Sequence, residues 1–179
     1  MYTLSAHFSE YLNELKSKQG IAHYLQDIVD LLVVEGTVVQ DIDKVLGRYA
    51  IQDFDTIKIE SIDLLIDYAN YILEDSVICD QEALDFEILK KVFRIREGEF
   101  LQHRSFQVNE ILKKEFIRIY SDNFVDQKEE LEKVNLQALF NLSYDQFEEI
   151  KQDEVIKALL HGANPEDLSI ATIPKGFRV

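Results

Sequence analysis

Apolar residues recur along most of this chain at steps of three and four, the spacing of helices that bury one face. Leu4, Phe8, Tyr11, Leu12 and Leu15 predict a helix over 4–16, with Ser5 placed to cap it. Gly20 interrupts, and 21–34 is then strongly apolar, with His23, Gln26, Asp27 and Asp30 confined to one stripe. Glu35-Gly36-Thr37 ends that segment. A shorter helix is expected over 42–49, with Val38-Val39 as a candidate strand. The stretch 62–74 predicts the most buried helix. Its polar residues Asp63, Asp67, Asn70 and Glu74 fall on one narrow line, and every other position can face protein. Further helices are expected over 109–121 and 146–160, the latter opened by Ser143 and closed near Gly162. Asn164-Pro165-Glu166-Asp167 has the form of a last helical start, and 172–179 that of an extended tail.

Part of this pattern is written twice. A shift of 47 positions lays Asp75 on Asp122, Glu82 on Glu129, Leu84 on Leu131, Leu89 on Leu136, Phe93 on Phe140 and Phe100 on Phe147. The same shift lays 62–74 on 109–121, whose more polar composition places the second copy nearer the surface. A looser echo begins at Glu35, with Tyr49-Ala-Ile51 standing for Phe93-Arg-Ile95 and a helix one turn shorter between. Two prolines and six glycines leave long stretches without helix breakers. The expectation is an all-α multi-helix bundle with two tandem helix–loop–helix units, about 62–100 and 109–147, in a single domain over 1–171.

Charge adds a constraint on partners. Nineteen basic residues against 34 acidic ones give a formal −15, which disfavours nucleic acid and anionic membrane and favours basic proteins. No apolar run approaches the ~20 residues of a membrane helix, and the N-terminal residues lack the basic-then-apolar layout of a signal peptide. With Cys79 as the lone cysteine, a reducing cytoplasm is the expected setting. Residues 90–118 reverse the balance locally, with eight bases against four acids. That band either pairs with the acids of the C-terminal part or supports self-association.

The sequence carries no catalytic or metal-binding motif. His7, His23, His103 and His161 have no second histidine or cysteine at ligand spacing, and no phosphate loop, nucleophile elbow or metalloprotease motif occurs. The acidic loops fail as calcium-binding EF-hands, since Val77, Cys79 and Phe86 occupy ligand positions of the first and Phe124 one of the second. No metal, cofactor or enzymatic activity is expected. The acids read instead as helix caps, with Asp80 and Asp126 each placed before a helix.

The repeat resembles the helical TerB family, named for tellurite resistance. The residues that carry the likeness are Ala69-Asn-Tyr-Ile-Leu-Glu-Asp75, Asp80-Gln-Glu82 and 89–93, then Ile119-Tyr-Ser-Asp122, 126–129 and 136–140. It covers 62–147, and the first loop carries Ser76 where that family commonly has glycine. The resemblance implies an all-α bundle with an interaction role, as a stress-response or regulatory module, and no catalytic residues.

Residues 122–154 hold ten acids and three bases. Glu129, Glu130, Glu132, Tyr144, Asp145, Glu148, Glu149, Asp153 and Glu154 are therefore the expected partner-binding set, with Tyr144 and Phe147 as aromatic anchors. Small size, acidity and the lack of chemistry are similar to bacterial immunity proteins and antitoxins. In such a protein, carboxylates would mimic phosphate and occlude the active site of a basic toxin nuclease.

Overall fold

The computed structural model describes residues 3–17, 21–34, 36–75, 77–170 and 173–174. Among them run eight α-helices: α1 (Ala6–Ser17), α2 (His23–Leu32), α3 (Val39–Arg48), α4 (Lys58–Ile72), α5 (Asp80–Val92), α6 (Glu99–Ile119), α7 (Gln127–Leu139) and α8 (Tyr144–Leu160). Two 3-10 turns, Phe54–Ile57 and Pro165–Leu168, complete the regular structure, with no strand among the described residues. The protein is an all-α, multi-helix fold. The chain divides into two compact units, Met1–Arg96 and Glu97–Val179. Gly20, Glu35, Ser76, Thr172 and 175–179, which bear on the expected breaks and tail, lie outside the described residues.

In the first unit α4 is the central helix, with nine of its fifteen residues buried and Asp63, Asp67 and Asn70 on its exposed line. Phe8 and Tyr11 of α1 pack on Tyr68 at ring-centroid distances of 4.9 and 4.8 Å, so aromatic burial ties α1 to α4. Ser5 caps α1, accepting from the Phe8 amide at 3.2 Å. Asp85 on α5 is fully buried. It accepts from the Ser5 amide at 3.0 Å and from the Ser5 hydroxyl, placing a carboxylate at the positive end of α1.

The second unit packs α6 against α8, with the rings of Phe116 and Phe147 edge to face at 5.2 Å. Phe100 meets Phe140 in the same way at 5.6 Å. A non-helical residue, Arg104 (φ −142, ψ 42), kinks α6 after its first turn.

The 47-residue register extends to atomic detail. Helix α5 begins at 80 and ends at 92, α7 begins at 127 and ends at 139, and both α4 and α6 end on equivalent residues, Ile72 and Ile119. The Glu82 carboxylate accepts from the Cys79 amide at 2.8 Å, and Glu129 from the Asp126 amide at 3.0 Å. Asp75 and Asp122 each accept from the amide two residues on. Arg94 (φ 54) and Asn141 (φ 49) turn each helix end through the left-handed region, with the amides of Ile95 and Leu142 closing onto the carbonyls of Lys90 and Gln137. Even the kink at Arg104 has a counterpart. It falls 47 residues after Ile57, where the Phe54–Ile57 turn joins α4 (φ −112, ψ 17).

The looser echo has the same local geometry. Ala50 (φ 55) ends α3, the Ile51 amide closes onto Leu46, and α3 has ten residues where α5 and α7 have thirteen. Two expectations are corrected. Val38-Val39 is no strand, since Val38 is the extended residue before α3 and Val39 its first helical one. Asp80 is not a cap, since Cys79 holds that position and Asp80 is the first residue of α5.

Alanine at a left-handed position strains against its own carbonyl, a cost glycine avoids. The Ala50 side chain is exposed, so Ala50→Gly loses little packing. It is expected to stabilise the fold by roughly 0.5–1 kcal/mol after the entropy glycine gains on unfolding, read as a raised midpoint in chemical denaturation.

Candidate functional site

A concavity with apolar surface in the second unit lies along the α6–α8 contact. It is an open groove of about 540 Å³. From α6 come Leu101, Ser105, Phe106, Asn109, Glu110 and Lys113, and from α8 come Gln146, Glu149, Ile150, Asp153 and Glu154. These positions repeat at helical steps, so each set forms one face of its helix. Leu101, Phe106 and Ile150 supply the apolar surface. Phe106 is 73% exposed, the most exposed aromatic ring among the described residues. Glu110, Glu149, Asp153 and Glu154 put carboxylates on both walls, against the single ammonium of Lys113.

The local structure explains why these side chains reach the groove. Ser143 caps α8, accepting from the Gln146 amide at 3.3 Å while Gln146 accepts from the Ser143 amide at 3.0 Å. That fixes the start of α8, and Phe147, locked on Phe116, fixes its rotation. Glu149 and Asp153 then face the groove two and six residues after Phe147.

The nine expected partner-binding residues separate into groups. Glu149, Asp153 and Glu154 line the groove. Tyr144 and Asp145 are exposed in the first turn of α8, outside its lining, and Glu148 is half-buried and paired with Lys151 at 2.5 Å. On α7, Glu129 is engaged at the helix start, while Glu130 is exposed and accepts from the Ser169 hydroxyl. Glu132 does not face outward. It is 7% exposed, bound by Arg118 at 2.6 Å, with Lys128 at 3.7 Å. Glu154 is likewise mostly buried, with Lys157 at 2.6 Å. Of the two expected anchors, Phe147 is in the core at 4% exposure, which leaves Tyr144.

Phe106 was missed because it breaks the amphipathic pattern of its helix. The 47-residue register held the signal, since Ile59, its equivalent on α4, is exposed as well. Val77 and Phe124, and Leu84 and Leu131, are exposed equivalents of the same kind.

Bases and acids are both drawn into the interior of this unit, Glu115, Glu132 and Glu154 among the acids. Lys133 and Lys151 are buried in this unit. Burial, and then the charge of Lys151, holds the Lys133 amine below the ordinary lysine range. Its Nζ donates to the Ser169 carbonyl at 3.2 Å and lies 5.9 Å over the Tyr120 ring. Arg118 bridges Glu132 and Glu115, the latter at 3.1 Å and 1% exposed. In the basic band 90–118, then, Arg118 pairs within its own unit, as does Lys90 with Glu87 at 2.5 Å in the first.

In the first unit, Asp67, Asn70 and Glu74 share a shallow 90 Å³ depression with Tyr11 and Tyr71, small beside the ~300–1,000 Å³ of ligand pockets. Among the described residues, no three His, Cys, Asp or Glu side chains gather as a metal set, and no helix is long and apolar enough to cross a membrane. No protein-family model, curated protein or solved structure matches the chain.

Two predictions follow from these charges. Arg118→Met strands the Glu115 and Glu132 carboxylates in the interior and is expected to cost about 3–5 kcal/mol in urea denaturation. The second concerns pH. Burial pushes the Glu129 carboxyl above the ordinary glutamate range, the Asp126 amide pulls it back, and the charges of Asp126, Asp122 and Glu132 add to the rise. Near pH 3 folded and unfolded chains both keep this proton. As pH climbs past the unfolded titration, the unfolded chain releases it first and the folded state loses ground until its own carboxyl ionises. Glu129→Gln, which still accepts from the Asp126 amide, should match the parent near pH 3 and exceed its stability at pH 7.

Proposed function

We propose that this protein is a non-enzymatic acidic binding protein that neutralises a basic partner, with the α6–α8 groove as its contact surface. The observation that carries this reading is the groove itself: apolar surface at Phe106 and Ile150, and carboxylates on both walls, on a chain of net charge −15. Apolar contact supplies affinity in a desolvated centre, while surrounding carboxylates steer a cationic partner and reject anionic ones. The partner class with the best fit is the nuclease domain of a bacterial toxin, whose phosphate-binding cleft is basic by necessity. In this reading the chain is its immunity protein or antitoxin. It occludes the active site in a cytoplasmic setting, with Glu149 and Asp153 in the place of substrate phosphates, Tyr144 as an aromatic anchor, and Asp145, Glu130 and Glu148 extending the negative field.

A second reading is a TerB-like regulatory or stress-response module. It draws on the tandem hairpins, each with an aspartate-stabilised loop and a glutamate accepting from the amide before the second helix. A rise in melting temperature with a divalent cation favours that reading.

The deciding experiment is co-expression with the product of the adjoining reading frame, with nuclease activity and complex formation measured together. Asp153→Lys combined with Glu149→Lys is expected to weaken the complex at least tenfold at 0.1 M salt and to flatten its salt dependence. Equal affinity and equal salt dependence in the reversed variant would remove the groove as the contact surface.

A further inference from the structure

Resting on the binding reading above, we infer that the α6–α8 groove takes one amphipathic, basic α-helix of the partner. The shape of the groove leads there. Past the kink at Arg104, its walls run from Ser105 to Lys113 on α6 and from Gln146 to Glu154 on α8. Each spans eight residue steps, about 12 Å at 1.5 Å per residue. A depression between two packed helices is the ordinary seat of a third, whose side-chain ridge fills it.

The volume limits how deep the occupant sits. Two turns of helix with side chains have a diameter of about 10–12 Å and exceed the 540 Å³ available. The helix therefore lies along the mouth and lowers one apolar face onto Leu101, Phe106 and Ile150. An extended segment fits this surface less well. The groove offers no strand edge to pair with, and a strand's amides and carbonyls would meet apolar side chains, whereas a helix satisfies its backbone internally.

Charge sets the rest of the occupant. Glu110 stands on one wall, with Glu149 and Asp153 on the other. A helix with apolar residues at steps of three and four, and lysine or arginine on both flanks, meets all three carboxylates while its apolar stripe covers Phe106. A second copy of this chain is a poorer occupant, since both molecules carry −15 and their encounter is repelled.

The test uses the full chain and two labelled fourteen-residue peptides of leucine and lysine. One places leucines at helical steps, and the other has the same composition in strict alternation. Fluorescence anisotropy at 0.1 M salt is expected to show at least tenfold tighter binding of the helical design, with a gain of helical circular dichroism on mixing. Phe106→Ser and Ile150→Ser should each weaken that binding at least fivefold. Phe106 is exposed, so its variant is expected to keep the parent's far-ultraviolet spectrum. Equal binding of the two peptides, abolished by Glu149→Lys with Asp153→Lys, overturns the helix inference and leaves the acidic-binding reading standing. No binding of either peptide at millimolar concentration overturns both. Reversible dimerisation in sedimentation that Phe106→Ser abolishes would assign the groove to a second copy.

Discussion

A carboxylate buried beside a helix must be given an opposite charge or a set of donors, and each half of this chain is arranged around one such demand. The site is the same in both copies of the repeat. Asp85 and Glu132 are separated by 47 residues, and both are buried on the second helix of their hairpin. The answers differ. Asp85 takes the amide and hydroxyl of Ser5, which draws the start of α1 onto α5. Glu132 takes the guanidinium of Arg118 on the preceding helix of its own hairpin, which Glu115 shares. One copy thus recruits a separate helix through the carboxylate, while the other closes the charge internally and meets α8 through aromatic packing.

That difference bears on the charge a partner would meet. Buried acids consume bases: Arg118 for Glu115 and Glu132, and Lys157 for the mostly buried Glu154. Buried lysines such as Lys133 and Lys151 are withdrawn from the surface as well. The outward carboxylates Asp145, Glu149 and Asp153 are left with fewer opposing charges than composition implies. Helix α8 joins the two requirements. Its buried side holds Phe147 and Val155 in the core, and its other side turns Glu149 and Asp153 to the groove.

Much of the fold was legible because it rests on periodicity and on local hydrogen bonds. The line Asp63, Asp67, Asn70 marked the exposed edge of α4, and Ser5, Ser143 and Gly162 stand at the helix ends they were expected to mark. Long-range chemistry was not legible. Nothing adjacent to Asp85 announces Ser5, eighty residues earlier, and an acid such as Glu132 reads as surface until Arg118 is seen beside it. Phe147 was assigned outward and Phe106 overlooked for one reason. Helical spacing reports which residues share a face, but not which neighbour covers that face.

The repeat also accounts for where the groove opens. Lys58, Ile62 and Ile66 run along one line of α4 and are all buried. Their equivalents 47 residues on are Ser105, Asn109 and Lys113, which are exposed and line the groove. Where the first copy has two isoleucines, the second has an amide and an ammonium along a single i, i+4, i+8 stripe. Covering such a stripe with apolar side chains would cost several kcal/mol in unpaired polar groups, so the second copy keeps it open. The neighbouring position behaves in the opposite sense. Ile59 is exposed, and its equivalent is the larger and still more exposed Phe106. Core packing alone would favour losing that ring from the surface, since an exposed aromatic contributes little to folding. The second copy thus differs from the first in an open polar stripe with a larger, more exposed apolar side chain at its rim, and the apolar contact surface of the groove is confined to that rim and to Leu101 and Ile150.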